Sequence, residues 1–196
     1  MAEVPWLASF AAQRGLKYEA DADERWLRAW EPYWTILTAF RYEHALHATG
    51  EVGSISIARV LVHTGAAPPA AAELGAWIVI AQDTRVKGRA AISSDRGSAF
   101  AEKHDLISVP RRSTGDAAFD QAFSTFAESN TNLDACVTPS LRKLLLGWRI
   151  PLHAELRDGG FVLLPVNLGA DPQSLHWLLS AVHLFGDKAG KRQASA

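Results

Sequence analysis

The sequence predicts an α+β fold: an antiparallel or mixed sheet with helices packed mainly on one face. Three observations predict it. Hairpin-like strand pairs outnumber any strand–helix–strand unit. The apolar period switches from helical to alternating at Ile36, and helix starts return at Thr138-Pro139 and Asp171-Pro172. The chain has 196 residues, 48% hydrophobic and 21% charged, which suits one domain able to bury a full core. A single domain is expected over residues 1–185, with 186–196, GDKAGKRQASA, as a disordered tail.

The first helix is expected over Pro5 to Arg14, with proline in the first turn and Gly15 as the stop. Trp6, Leu7, Phe10 and Ala11 fall on one side of it. A second helix is expected from Asp23, carrying Trp26, Leu27 and Trp30 at i, i+1 and i+4 until Pro32 ends it. Ile36 to His47 and Ser54 to His63 read as strands around a turn at 48–53. Ile55 and Ile57 alternate with Ser54 and Ser56, as in a half-buried strand. The Ala/Pro-rich stretch 65–75 reads as a surface loop. Ala76 to Gln82, AWIVIAQ, is a β-branched run suited to a sheet interior. Arg89 to Ser93 is a fourth strand, and Ser94-Asp95 caps a short helix over Arg96 to His104.

Leu106 to Val109 and Ala122 to Ala127 read as short strands, the second followed by a polar turn. Thr138 is the N-cap of the next helix, with Leu141, Leu144 and Leu145 as its apolar stripe and Gly147 as its stop. Ile150 to Leu156 and Phe161 to Val166 form a hairpin turning at Arg157-Asp158-Gly159-Gly160. The last helix starts at Asp171-Pro172 and runs to about Phe185, with Leu175, Leu178, Leu179, Val182 and Phe185 inward. Leu141, Leu144, Leu145, Phe123, Ile150, Leu152 and Phe161 are expected to share one core, so that the helix after Thr138 packs on the hairpin.

Several functions are disfavoured. A net charge of −1 supplies no global attraction to nucleic acid or anionic lipid. One cysteine, Cys136, excludes an internal disulfide and a cysteine-built zinc site, and a reducing cytoplasm is the expected home. No secretory leader is read at the N-terminus, and the stretch 60–81 is too interrupted for an apolar span. Arg outnumbers Lys, which points to a bacterial source. Phosphate-cradling glycine loops and the Gly-x-Ser-x-Gly elbow do not occur.

The polar candidates are few. Arg85, Lys87 and Arg89 alternate, so on a strand they would share a face and form a cationic stripe for phosphate or carboxylate. The competing reading is a solvated sheet face diluted by Asp83 and Asp95. Trp26 and Trp30 are either core or a stacking platform, and helical spacing favours core. His44 and His47 are expected on opposite faces of a strand, and His176, Ser180 and His183 line one side of the last helix. None supplies the three or four converging ligands a metal needs. Cys136 precedes the Thr138 cap, where a thiol can be activated, but among Leu133, Ala135 and Val137 it reads as a small buried hydrophobe.

A resemblance rests on the order of short motifs: Ala76 to Asp95, then Phe119-Asp120 with Phe123, Leu133, Val137-Thr138-Pro139-Ser140-Leu141, and Leu152 to Leu164 around Asp158-Gly159. This order resembles a bacterial domain-of-unknown-function family with a "GLVVIAD"-like strand, an "FD–F–V" strand, an "LTP–L" helix and a "DG" hairpin. It covers roughly Gly53 to Val166, with Val137 where the family has Leu. It implies a related fold and brings no catalytic residues. Many members look membrane-tethered through apolar helices ahead of the soluble part, which this chain does not show. The expected function is a non-enzymatic protein-binding or scaffold module without a cofactor, acting through a protein partner or self-association. The alternative is a small-molecule binding protein or enzyme with its pocket between the sheet and the Trp-bearing N-terminal helices. Nucleic-acid binding and membrane insertion are not expected.

Overall fold

In the computed structural model, which describes residues 4–23, 25, 39–50, 53–62, 74–94, 109–165 and 168–190, nine strands join into one antiparallel sheet. They are β1 (Lys17–Glu19), β2 (Ala39–Gly50), β3 (Gly53–Val62), β4 (Leu74–Asp83), β5 (Ala90–Ser94), β6 (Arg111–Arg112), β7 (Phe123–Ala127), β8 (Leu152–Arg157) and β9 (Gly160–Pro165). Their spatial order is β1-β2-β3-β4-β9-β8-β5-β7-β6. The described helices are α1 (Pro5–Gln13), α2 (Ala117–Ala122), α3 (Asn130–Cys136), α4 (Pro139–Trp148) and α5 (Pro172–Ala189). The fold is α+β, and of the two sheet types the sequence allows, the antiparallel one is realised.

Register explains the two faces. Leu46, Ile57, Val79, Leu163, Ala154 and Ile92 are successive cross-strand partners over six strands, and all are buried. Side chains alternate along a strand, so one such row fixes a whole face. All five helices pack against this face: Phe10 of α1, Phe119 of α2, Leu133 of α3, Leu141 and Leu145 of α4, and Phe185 of α5 belong to the same cluster. The second face carries its own apolar cluster, with Tyr42, Val60, Ile78, Ile80, Val162 and Leu164.

The predicted core is largely realised. Leu141, Leu145, Phe123, Leu152 and Phe161 are in the main cluster and Leu144 packs on it half-buried, whereas Ile150, also half-buried, is not part of it. The Thr138 hydroxyl accepts the Leu141 N–H at 3.2 Å, as an N-cap should, but α4 lies against α5 and α2 more than on the hairpin. Gly147 does not stop it. The helix runs on to Trp148, and Arg149 follows in the left-handed region at φ 56°.

Other elements differ from expectation. The polar turn after β7 is a helix, α3, whose Ser129 hydroxyl accepts the Asn132 N–H at 3.1 Å. Helix α2 has six residues and buries only Phe119, too little for a periodic stripe. Strand β1 is three residues long. The strand expected at 106–109 lies, except for Val109, outside the described residues, and β6 follows at Arg111–Arg112. Helix α5 extends past Phe185 to Ala189, and Gly186 belongs to its buried face. A Cβ at Gly186 would lie 3.2 Å from Asp83 Oδ2 and 3.4 Å from Phe161, so the glycine permits the close approach of helix to sheet. The expected helices at 96–104 and across Trp26 and Trp30 lie outside the described residues; of the tail expected over 186–196, residues 186–189 are helical and 191–196 lie outside them too.

One irregularity orients a histidine. Glu43 pairs with Arg59 and Leu46 with Ile57, so β2 carries one extra residue there, and His44 takes φ 54°. His44 Nδ1 lies 3.0 Å from the Tyr18 hydroxyl, whereas His47 Nδ1 lies 2.6 Å from Ser56 Oγ. The two imidazoles do not converge.

Candidate functional site

The predicted cationic stripe does not form. Residues 84–89 connect β4 to β5 as a turn and not as a strand, so Arg85, Lys87 and Arg89 share no strand face. Arg85 folds back on Asp83: its Nε donates to Oδ1 at 2.9 Å and its Nη2 to Oδ2 at 2.7 Å, while Nη1 reaches Asp187 of α5 at 3.2 Å. Burial works to raise the Asp83 carboxyl, yet the hydrogen bonds and charge of Arg85 outweigh it and leave it below its ordinary value. The hydrogen bond to Asp83 likewise raises Arg85. Arg89 stands 4.0 Å from Glu128 in solvent. Asp83 is thus the internal neutraliser that the bland reading of the stripe calls for.

Lys87 contributes its backbone. The Cys136 thiol donates to the Lys87 carbonyl at 3.2 Å, and a Cβ at Gly88, where φ is +82°, would lie 2.7 Å from Cys136 Sγ. The Gly88 N–H donates to Asp158 Oδ1 at 2.6 Å. The turn is therefore clamped between α3 and the β8–β9 hairpin. Cys136 is 1% exposed, and burial, with Asp158 adding to it, pushes its thiol up to about 11. It is a packed residue and not an activated nucleophile. Trp26 and Trp30, and with them the predicted pocket, lie outside the described residues. Among the described residues no group of three or more His, Cys, Asp or Glu is placed to hold a metal, and no described helix is long and apolar enough to cross a membrane.

Two arrangements were missed in the sequence. The first is a buried pair on β8. His153 and Glu155 point to the second sheet face, 2% and 4% exposed, with Nε2 3.0 Å from Oε1. Glu155 lies between Val162 of β9 and Ala91 of β5, and His153 between Leu164 and Ser93. Burial pushes Glu155 up to about 9, against the charges of Arg157 and Arg89, and pushes His153 down to about 4. A His-x-Glu run inside an apolar strand is the signal that could have found them.

The second arrangement is a pair of surface grooves. One, of about 210 Å³, lies between the β2–β3 turn and α5. Much of its polar lining is already engaged: Ser54 Oγ donates to Gln82 Oε1 at 2.7 Å, and Asp83, Arg85 and Asp187 hold one another. His183 stands exposed at this groove. The other, of about 330 Å³, lies between α2 and the end of α4, over the segment leading into β8. Its lining is mainly apolar, with Phe123, Leu145, Leu146 and Ile150 as the larger side chains. Gln121 and Arg149 stand exposed at it.

No family model matches the chain, and no curated protein matches it in sequence. The order of short motifs is therefore not accompanied by a family match. Among solved structures, the mycobacterial trehalose monomycolate transport factor A, TtfA, is similar, with a TM-score of 0.62 and 9% sequence identity. The similarity covers 92% of this chain and 90% of that one. What this chain shares with that protein is its fold, over nearly the whole length of both.

Proposed function

We propose that this protein is a non-enzymatic accessory factor in lipid transport, acting in the cytoplasm by binding a protein partner. The observation that supports it is the fold agreement with TtfA across 92% of the chain. A fold hosts many functions, so the local chemistry must agree with the reading. It does so in three places. Asp83, Arg85 and Asp187 are tied to one another, Cys136 is bound to a carbonyl, and His153 and Glu155 are enclosed together. These groups are spent on holding the fold.

The surface suited to a partner is the seam of α4 and α5. Trp148 and Trp177 meet edge to face at 5.5 Å and both are half-buried, and Leu184 of α5 is 46% exposed. Aromatic side chains on a rigid helix pair supply contact area at low entropic cost, which is why interfaces are enriched in them. The test is affinity capture from the native host with wild type and a Trp148→Ala/Trp177→Ala variant, alongside lipid profiling of a deletion strain. A lipid-transport component held by wild type and lost by the variant, with acylated lipid displaced in the deletion strain, is the expected result. An unchanged lipid profile together with no transport component captured would refute the reading.

A further inference from the structure

We propose that the groove between α2 and the end of α4 binds one single-chain fatty acid as its carboxylate. Arg149 takes the headgroup, and the half-buried Leu146 and Ile150, over a buried floor of Phe123 and Leu145, take the chain. The inference rests on the reading of the protein as a lipid-handling factor and names the chemistry at one site. It does not depend on the aromatic seam or on any protein partner.

The lining sets the ligand class. Of the described residues around the groove, Ser94, Gln121 and Arg149 are the polar ones, and no carboxylate is among those described. Ser94 is occupied: its Oγ accepts the Leu152 N–H at 2.9 Å and donates to the Leu152 carbonyl at 3.2 Å. That leaves an apolar trough with one cation and one amide at its exposed side. A trough of about 330 Å³ is at the small end of ligand sites, suited to one chain more than to a two-chain lipid. Its charge complement is an anion, and guanidinium meets a carboxylate through two parallel hydrogen bonds.

Arg149 differs from several other described arginines. Arg112 donates to the carbonyls of Ala127 at 2.8 Å and Glu128 at 2.7 Å, Arg142 donates to Val137 at 3.0 Å, and Arg85 is locked to Asp83. Among the described residues no acceptor engages Arg149, which stands exposed. Its backbone lies at φ 56°, directly after a helix, where glycine is the favoured residue. The chain has a glycine two positions earlier, at Gly147, and leaves it inside the helix. A strained arginine at that position keeps a guanidinium beside the apolar trough.

The test is calorimetric titration of the full chain with sodium decanoate, decanol and decyltrimethylammonium, all below micelle formation, with octanoate for comparison. Arg149→Gly suits the left-handed backbone and retains the fold, and Ala118→Trp fills the groove from an exposed helical position. Circular dichroism checks both variants. Wild type is expected to bind one decanoate, more tightly than octanoate by about fourfold per buried methylene. Arg149→Gly is expected to weaken decanoate at least tenfold while leaving decanol within twofold, and Ala118→Trp to remove both. Non-saturable decanoate binding, equal decanoate affinity in Arg149→Gly, or equal affinity for the cationic amphiphile would overturn the proposal. Preference for a short apolar peptide with a free C-terminal carboxylate would overturn it too, by assigning the groove to a protein tail. None of these outcomes bears on partner capture by the aromatic seam.

Discussion

Replacing Glu155 by Gln should invert the response of this protein's stability to pH. In the folded state Glu155 titrates near pH 9 and His153 near pH 4, against ordinary values of 4.5 and 6.5. Between those limits the folded pair holds one proton. The count is the same whether the proton sits on the carboxyl or on the imidazole. The unfolded pair also holds one proton between pH 4.5 and 6.5, as a carboxylate and an imidazolium, so the pair's own contribution there is flat. Any acid-side loss in wild type comes from other groups such as His44, which burial lowers. Above pH 6.5 the unfolded pair loses its proton while the folded pair keeps it until pH 9. Stability must therefore fall across that window, by about 1.4 kcal/mol per pH unit and about 3 kcal/mol in all. Few other perturbed groups act there. Asp83 and Asp120 are lowered carboxyls, whose contribution is lost only in acid, and Cys136 is raised to about 11 and acts in alkali. In Glu155→Gln only His153 remains. Its folded value is depressed, so the variant loses stability as pH falls from 6.5 to 4 and is level above 6.5. Urea unfolding followed by tryptophan fluorescence from pH 5 to pH 9 measures both profiles. Parallel profiles, or a wild type whose midpoint is constant from pH 6.5 to 9, would refute the reasoning.

Three further outcomes are expected. Leu145→Ala removes a fully enclosed side chain from the junction of α4 with the sheet and should cost about 2–5 kcal/mol in urea unfolding; a loss below 1 kcal/mol would contradict its place in the core. Cys136 should react slowly with a thiol reagent at neutral pH in the folded protein and stoichiometrically in urea, and fast labelling under native conditions would restore the nucleophile reading. Gly88→Ala should destabilise by about 1–3 kcal/mol because it combines a left-handed backbone with a Cβ at 2.7 Å from Cys136 Sγ. Adding Cys136→Ala should recover the steric part, measurable as non-additivity in a double-mutant cycle.

Much of the fold is legible because the signals are local and repeated. The Thr138 and Asp171 caps, each followed by proline, mark α4 and α5 correctly, and the Asp158-Gly159 turn marks the β8–β9 hairpin. The failures share a cause: tertiary contacts decide what local pattern leaves open. Helix α3 buries only Leu133 and Cys136, so no apolar stripe separates it from a turn. Helix α5 passes through Gly186 because Phe161 and Asp83 press on that position, which no sequence window contains. The site residues were harder. Alternation at 85, 87 and 89 suggests a strand face, but the Asp83–Arg85 fork and the Gly88 contact with Cys136 close the segment into a turn. Arg149 is invisible as a candidate because its interest lies in a left-handed backbone and in apolar neighbours from α2, some thirty residues away.

The place of the β8–β9 hairpin in the strand order bears on the way this chain is made. Strands β4 and β5 are consecutive in sequence but not neighbours; β9 and β8 lie between them and are synthesised last. A nascent chain that has emerged only as far as β7 therefore carries two partial sheets, β1 to β4 and β5 to β7, each with a raw edge. Those edges are Leu74–Asp83 and Ala90–Ser94, rich in apolar side chains and in unpaired backbone groups. Open edges of this kind invite pairing with other chains, and closing them waits on contacts distant in sequence. Translation thus passes through an interval in which the risk of aggregation is highest just before the final hairpin appears. A chain truncated ahead of Leu152 is expected to remain in that condition, insoluble and dependent on chaperones, and supplying residues 152–165 in trans as a separate hairpin is the direct way to relieve it.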